Sequence, residues 1–199
     1  MDAGKLSETV CVLKLVQTDG AWEWTQVKKT WADIDAKTAK SIYSAVGVSA
    51  MGASLTMRRQ GITLHNALLW EGRHLFLTGI RKNGRLYMDV DAAIVKPDTC
   101  LATRTETRVG AGGRPVKTET MRIAFPAVLT EKYARYVQET THAESDIGLV
   151  LVTPKVIGLK PGDIVTVQGG NAPGVYHVTV PHELDDYKNE YEIARRGDV

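Results

Sequence analysis

The stretch ALLWEGRHLFLTGIRKNGRLYMDVDAAIV, residues 67–95, contains three short strand-like runs that are separated by two turns. Glu71-Gly72 forms the first turn and Asn83-Gly84 forms the second. Asn-Gly between two strand-like runs is a strong hairpin signal, because the tight hairpin turn needs residues that tolerate positive φ. The stretch therefore predicts a meander of short antiparallel strands.

The residues before this meander predict further strands. The apolar run Val10–Gln17 and the alternating run Trp22–Val27 flank Asp19-Gly20, which predicts another hairpin. Lys29–Ala36 and Leu55–Arg59 are two more strand-like runs with alternating faces. Together these segments favour a small all-β domain in the first half of the chain.

The second half repeats the order of these elements. A strand pair, Thr103–Val109 with Pro115–Phe125, occupies the place of the first hairpin. The runs Asp163–Gln168 and Val175–Val180 then match the hairpin around Glu71-Gly72. A repeat changes the architecture that one expects, although chance recurrence of generic meander patterns is the alternative explanation.

We therefore predict an all-β fold with two similar small β-barrel or meander domains in tandem, over residues 1–97 and 98–199. Each domain is expected to contain one long loop or short helix. In the first domain the small-residue segment Lys37–Ser54 is the predicted loop. In the second domain Ala127–Glu144 takes its place.

Residues 127–144 show a more helical pattern than the first loop. The apolar positions recur at helical spacing over Leu129, Tyr133, Tyr136 and Val137. We expect Tyr133 and Tyr136 to form an interface of the second domain.

Composition and charge exclude several classes of protein. The chain has 199 residues, is 43% hydrophobic and 24% charged, and has a formal net charge of +2. So small a net charge gives no global attraction to nucleic acid or to an anionic membrane. We expect neither a signal peptide nor a membrane-spanning helix, because the apolar runs are far shorter than the roughly 20 residues of such a helix. Cys11 and Cys100 are expected to be inert buried thiols.

Few residues have a spacing that suggests metal binding or catalysis. His177 and His182, with Glu183 next to them, come closest to a ligand cluster. An exposed strand end explains the same residues without a metal. We therefore expect no catalytic residue, no metal and no cofactor, and we do not expect an enzyme.

Two pairs of carboxylates have a spacing of two residues, which places each pair on one face of a strand. The pairs are Asp33 with Asp35 and Asp89 with Asp91. Such pairs can hold a divalent cation, although solvated strand faces show them routinely. A small hydrolase that uses Asp89 and Asp91, or the histidine pair, is the enzymatic alternative.

All four tryptophans fall in the first half. Core packing of a small β domain explains them, because large aromatic residues bury much area. Trp22 and Trp24 share one strand face, so a stacking platform for carbohydrate or bases is the alternative.

Four weak motifs follow one another in the first half. They are Trp31-Ala32-Asp33-Ile34, Thr56-Met57-Arg58, Gly61-Ile62-Thr63 and Glu71-Gly72-Arg73-His74-Leu75. In this order they resemble the head-closure, or head-tail joining (stopper), proteins of long-tailed bacteriophages. The resemblance covers about residues 10–95. Members of that family are small β-barrel proteins of about one such domain, so this chain is longer than the usual member.

The resemblance implies a structural role in the virion, in the connector between head and tail. A ring of subunits closes the portal channel after DNA packaging, binds the portal or adaptor ring on the head side, and presents a docking surface to the tail terminator or tail tube. The channel loop of the family follows the Trp-Ala-Asp-Ile strand and corresponds here to Lys37–Ser54. Its candidate residues are Lys37, Lys40, Ser41, Tyr43, Gly47 and Met51.

Stoichiometry and location follow from the same resemblance. If the halves are duplicates, six chains in a ring present twelve similar domains. The chain is expected to be made in the host cytoplasm, to contact packaged DNA without sequence preference, and to have no membrane partner. A tail terminator or tail-tube protein of a long-tailed phage is the alternative function, and a tube protein is expected to polymerise alone.

Overall fold

The structure, a computed structural model, describes residues 5–40, 51–109, 113–133, 147–183 and 185–197. The chain divides into two compact units. Unit 1 consists of Met1–Val16, Glu23–Pro97 and Thr130–Lys132, and unit 2 consists of Gln17–Trp22, Asp98–Leu129 and Tyr133–Val199. Within the described residues no helix is long and apolar enough to cross a membrane.

Unit 1 is built on six antiparallel strands that close into a barrel. In the order β1-β4-β5-β6-β3-β2 each strand is hydrogen-bonded to the next, and β1 also pairs with β2, which closes the ring. The strands are β1 (Glu8–Thr18), β2 (Ala21–Lys40), β3 (Met51–Arg58), β4 (Asn66–Trp70), β5 (Arg73–Asn83) and β6 (Tyr87–Val95). Residues 21–22 of β2 belong to unit 2.

Unit 2 has the same strand order. Its strands follow one another as β7-β10-β11-β12-β9, and β8 pairs with both β7 and β9. They are β7 (Asp98–Val109), β8 (Pro115–Tyr133), β9 (Ile147–Pro154), β10 (Ile164–Gln168), β11 (Gly174–His182) and β12 (Lys188–Arg195). The prediction of an all-β fold with two similar barrel-like units is therefore confirmed.

Two tight turns form hairpins, one between β1 and β2 and one between β4 and β5. Asp19 and Gly20 have φ values of 51° and 79°, and Glu71 and Gly72 have 47° and 76°. Positive φ at both central residues is the signature of the type I′ turn, whose twist matches that of the flanking strands. The two dipeptides that predicted these hairpins do form them.

Each unit has its own apolar core. In unit 1 the inward-facing residues, which alternate along each strand, include Val10, Val12, Leu55 and Met57. In unit 2 the core includes Phe125, Leu151, Tyr176 and Tyr191. The connection after the third strand adds one more apolar group to each core, Ile62 in unit 1 and Ile157 in unit 2, at matching places in the two units.

Three predictions of local structure were wrong. The predicted loop Lys37–Ser54 is shorter, because β2 continues to Lys40 and β3 begins at Met51. The helical prediction for Ala127–Glu144 fails over residues 127–133, which are the last part of β8. β12 was not predicted, because its buried residues include the charged and polar side chains of Lys188, Asn189 and Glu190.

Polar side chains of β12 fix the segment that follows β9. The Tyr191 hydroxyl lies 2.8 Å from the Ile157 carbonyl oxygen and accepts a hydrogen bond from the Leu159 backbone N–H at 3.1 Å. Burial raises the pKa of Tyr191 to about 12, so the hydroxyl keeps its proton and can donate. Asn189 Nδ2 donates to the same Ile157 carbonyl at 2.9 Å.

Tyr191→Phe is expected to lower the free energy of unfolding of unit 2 by about 1–3 kcal/mol, because it leaves the Leu159 N–H buried without its acceptor. Tyr176→Phe is the matched control. Its hydroxyl donates to the carbonyl of Ala172 at 2.8 Å, in a loop whose other residues are exposed, so the loss of this bond is expected to cost less. Hydrogen exchange of β12 and of residues 155–159, followed by mass spectrometry, measures the difference. Equal protection in both variants would contradict the assigned role.

Candidate functional site

Register brings the two carboxylate pairs of the sequence onto one face of unit 1. Thr56 of β3 pairs with Asp33 of β2 on one side and with Asp89 of β6 on the other. Ser54 pairs in the same way with Asp35 and Asp91. Residues that pair across antiparallel strands point to the same face of the sheet. We call the surface formed by Asp33, Asp35, Asp89 and Asp91 the acidic face.

Neighbouring side chains hold the two β6 carboxylates in place. Asp89 Oδ1 accepts hydrogen bonds from Thr56 Oγ1 and Asn83 Nδ2, both at 2.9 Å. Asp91 accepts from Ser54 Oγ at 3.2 Å and forms an ion pair with Arg81 at 3.0 Å. These bonds fix the carboxylates as part of the outer surface of the sheet.

A groove lies beside the acidic face in unit 1. The described residues that line it are Leu6, Thr30, Trp31 and Arg58, and its volume is about 460 Å³. Trp31 is 57% exposed although it is large and apolar. It is two residues from Asp33 on β2, so its side chain lies on the same side of the strand as the acidic face. We call this feature the Trp31 groove.

The structure does not bring the histidine pair together. His177 and His182 are five residues apart on β11, and an extended strand of that length spans roughly 16 Å. His182 Nε2 instead lies 2.8 Å from a carboxylate oxygen of Glu192. Among the residues that the structure describes, no three His, Cys, Asp or Glu side chains form a group that could hold a metal ion.

Trp22 and Trp24 have separate surroundings. Trp22 packs against the core of unit 2, whereas the Trp24 ring lies 5.3 Å from the ring of His74 in unit 1. Both side chains are half-buried, so they do not form a shared stacking platform.

The predicted channel loop falls partly within two strands. Lys37 and Lys40 lie at the end of β2, and Met51 begins β3 and pairs with Lys40. Ser41, Tyr43 and Gly47 lie outside the described residues.

The predicted second-domain interface is described only at its first residue. Tyr133 is the last residue of β8. Tyr136 lies outside the described residues.

The predicted strand pair Thr103–Val109 with Pro115–Phe125 is present, but its exposed outer part was not predicted. Beyond a register shift between Arg104 and Thr105, β7 and β8 continue as a two-stranded ribbon up to the pair Val109 and Pro115. Residues 105–109 and 113–120 are all exposed. The sequence signal was a run of threonines and charges with no apolar face. We call this ribbon the β7-β8 arm.

His74, part of the motif Glu71-Gly72-Arg73-His74-Leu75, is a core residue. Its side chain is 9% exposed, and Nε2 has no hydrogen-bond partner among the described residues. Burial lowers the pKa of His74 to about 4, so the imidazole is neutral at pH 7. The motif therefore contributes to packing near the turn, next to Arg73, whose guanidinium lies 5.3 Å from the Trp70 ring centre.

Comparison with known proteins adds no relative. The chain matches no protein-family model, and it matches no curated protein.

Acidification is expected to destabilise unit 1 through His74. The pKa of His74 is lower in the folded protein than in the unfolded chain. The contribution of His74 to the free energy of unfolding is therefore complete above about pH 6.5 and is lost as the pH falls towards 4. The lowering of the pKa of His74 corresponds to a loss of at most about 3 kcal/mol in the free energy of unfolding. Urea unfolding between pH 7 and pH 4, followed by tryptophan fluorescence, measures it.

The variant His74→Phe keeps a ring beside Trp24 but binds no proton. It is expected to lose less stability than the wild type over this pH range. His65→Gln, at an exposed position, is the control and is expected to keep the wild-type response. An unchanged acid response in His74→Phe would show that another group is responsible.

Proposed function

We propose that the protein is a structural subunit of a bacteriophage head-to-tail connector. In this role a ring of copies closes the portal channel after DNA packaging and docks the tail. The observation that supports it most is the presence of two closed six-stranded barrels with one strand order, in a chain whose first barrel contains the four stopper-like motifs.

The placement of the motifs in unit 1 supports the resemblance. Ala32 pairs with Met57, so the Trp-Ala-Asp-Ile and Thr-Met-Arg motifs lie on neighbouring strands. Ile62 of the third motif is buried in the core, and the fourth motif begins at the turn between β4 and β5. All four motifs therefore contribute to one barrel, as a signature of a barrel fold requires.

The connection between β2 and β3 is the proposed channel segment. Lys40 of β2 pairs with Met51 of β3, so the strand ends that flank the proposed segment lie side by side. In a ring of subunits such segments come together around the axis. Lys37 and Lys40 then add positive charge near DNA phosphates, which attract cations without regard to sequence.

The proposed partners follow from this location. The ring contacts a portal or adaptor ring on the head side and a tail terminator or tail tube on the tail side. Six chains with two similar barrels each would give six-fold and twelve-fold related surfaces. The protein is then made in the host cytoplasm and ends in the virion.

A tail-terminator or tail-tube function is the second candidate. The tandem barrels also support this function, because two similar rings stacked on one another are the repeating unit of a tube. The two functions differ in partner: a stopper requires the head, and a tube protein assembles by itself.

DNA retention tests the proposal. DNA-filled heads that lack this chain are mixed with the purified protein, and nuclease-protected DNA is measured together with the mass of the assembled particle. The wild type is expected to bind as a ring and to retain the DNA. The double variant Lys37→Glu with Lys40→Glu is expected to bind heads but to retain less DNA, because it places negative charge beside phosphate.

Lys14→Glu with Lys82→Glu is the matched control, since it makes the same change of charge at two exposed positions of unit 1 away from the proposed channel segment. It is expected to behave as the wild type. Tubes formed by the chain alone, or a wild type that ignores heads, would favour the tail function instead. Equal retention by both double variants would exclude the lysines from the channel.

A further inference from the structure

The β7-β8 arm has a fixed root. Arg104, at the register shift where the arm begins, donates two hydrogen bonds to Asp163, from Nε and Nη2 and both at 2.7 Å. Asp163 is 2% exposed and also accepts a hydrogen bond from the Lys160 backbone N–H. A bidentate, largely buried pair fixes geometry strongly. The direction in which the arm leaves unit 2 is therefore set.

The outer part of the arm has no core. Its exposed apolar residues are Val109, which is 80% exposed, and Val116, which is 50% exposed. A two-stranded ribbon that packs against nothing is marginally stable in water. Such a ribbon gains most by adding its backbone and its few apolar groups to another surface.

Within unit 2, the tip of the β1-β2 hairpin packs on β8. This contact shows how a hairpin of the chain can add to a long strand. The turn of the β1-β2 hairpin, within residues 17–22, is part of unit 2. Ala21 pairs in parallel with Ala124 of β8, and the Gly20 carbonyl accepts a hydrogen bond from the Ala124 N–H at 3.4 Å. Leu101 of β7 pairs with Ala124 as well, so the tip uses the other edge of β8. Trp22 packs against the core beside it.

The strand of unit 1 that corresponds to β8 is β2, and it has an available edge. Its register with β3 begins at Ala32, and residues 25–29 that precede it are exposed. Val27 is 60% exposed. The Trp31 groove lies at the end of this stretch. An exposed strand edge beside an exposed tryptophan is a template for strand addition.

The arm and the acidic face differ in charge, whereas the acceptor stretch of β2 itself carries the exposed Lys28 and Lys29. The arm has three exposed basic side chains, Arg108, Arg114 and Lys117, against two acidic ones, and Arg108 forms an ion pair with Glu106 on the arm. The acidic face lies on the same side of β2 as the Trp31 groove. Complementary charge orients partners and fixes their register more than it adds affinity.

We propose that the β7-β8 arm of one copy docks on β2 of a second copy. The outermost described pair of the arm, Val109 with Pro115, adds to the edge of β2 near residues 27–30. Val109 and Val116 cover Trp31, and the basic side chains of the arm face the acidic face. The contact is head-to-tail, so repeating it gives a ring if the rotation closes and a filament if it does not. This contact would join neighbouring subunits in the proposed connector, and the expectation of a closed ring rests on that proposed function.

Cross-linking between two variants that each carry one exposed cysteine tests the contact directly. Val116→Cys and Trp31→Cys are each made in a Cys11→Ser background, in which the remaining native cysteine, Cys100, is buried. The two variants are labelled with tags of different size, mixed at high concentration and treated with a short bismaleimide. Because the two cysteines are on different molecules, the mixed product reports only contact between copies. A clear yield of the mixed product is expected.

Val156→Cys replaces Val116→Cys in the control mixture. Val156 is also in unit 2 and is 53% exposed, which matches Val116, but it lies outside the arm. A mixed yield from Val116→Cys no higher than that of the control would overturn the docking proposal.

Charge exchange provides the second measurement. Arg114→Glu with Lys117→Glu on the arm is expected to lower the mixed yield about tenfold at low salt, and so is Asp33→Lys with Asp35→Lys on the acidic face. One copy with the arm change and one with the face change are expected to regain the yield. No recovery in that combination would contradict the assigned faces.

The outcomes separate this proposal from the proposed function. A chain that cross-links as expected but does not bind heads keeps the docking contact and loses the connector function. Arm variants that bind heads and retain DNA as the wild type does would overturn the docking contact and leave the connector function in place.

Discussion

Closure of each barrel depends on one strand that is long enough to serve two neighbours. β2 has 20 residues and β8 has 19, and each pairs with the strand before it and with the strand after it. On β2 the pairing with β3 begins only at Ala32, so the two neighbours use different parts of the strand as well as opposite edges. A barrel made in this way has closed walls and leaves one stretch of a strand edge exposed. The β7-β8 arm and the acceptor edge of β2 both follow from this geometry.

Local turn chemistry made much of this fold predictable from sequence. Asp19-Gly20 and Glu71-Gly72 have the positive φ values that their hairpins require, and the order of strands in the two halves was visible as a repeat. The errors have physical causes. Leu129 and Tyr133 are four residues apart, a spacing that is even and therefore also places both on one face of a strand. β12 begins Lys188-Asn189-Glu190, all buried, with the ammonium of Lys188 2.7 Å from the carboxylate of Glu190. A rule based on alternating apolar residues cannot find such a strand.

The candidate surfaces were less predictable than the fold because they depend on pairing between distant segments. The two aspartate pairs were visible in sequence, but only the register through Thr56 and Ser54 places them on one face. Trp22 and Trp24 were predicted to share a surface because they lie on one face of the same strand. In the structure Trp22 packs against the core of unit 2, whereas Trp24 lies beside His74 of unit 1. Spacing along one strand fixes the face of a side chain. It does not fix which strand lies beside it, and most of the chemistry of a surface depends on that neighbour.

The size of the proposed docking contact determines when copies associate. Two valines, one tryptophan and a few backbone hydrogen bonds bury much less than the roughly 1,200–2,000 Å² of a stable interface. A single contact between free copies is therefore weak. A partner ring that binds several copies side by side raises the effective concentration of each arm near its acceptor strand, and weak contacts then form together. The fixed root at Arg104 and Asp163 helps in the same way, because less freedom is lost when a pre-oriented arm docks. The proposed contact therefore predicts that copies stay apart in dilute solution and associate where a template holds them together.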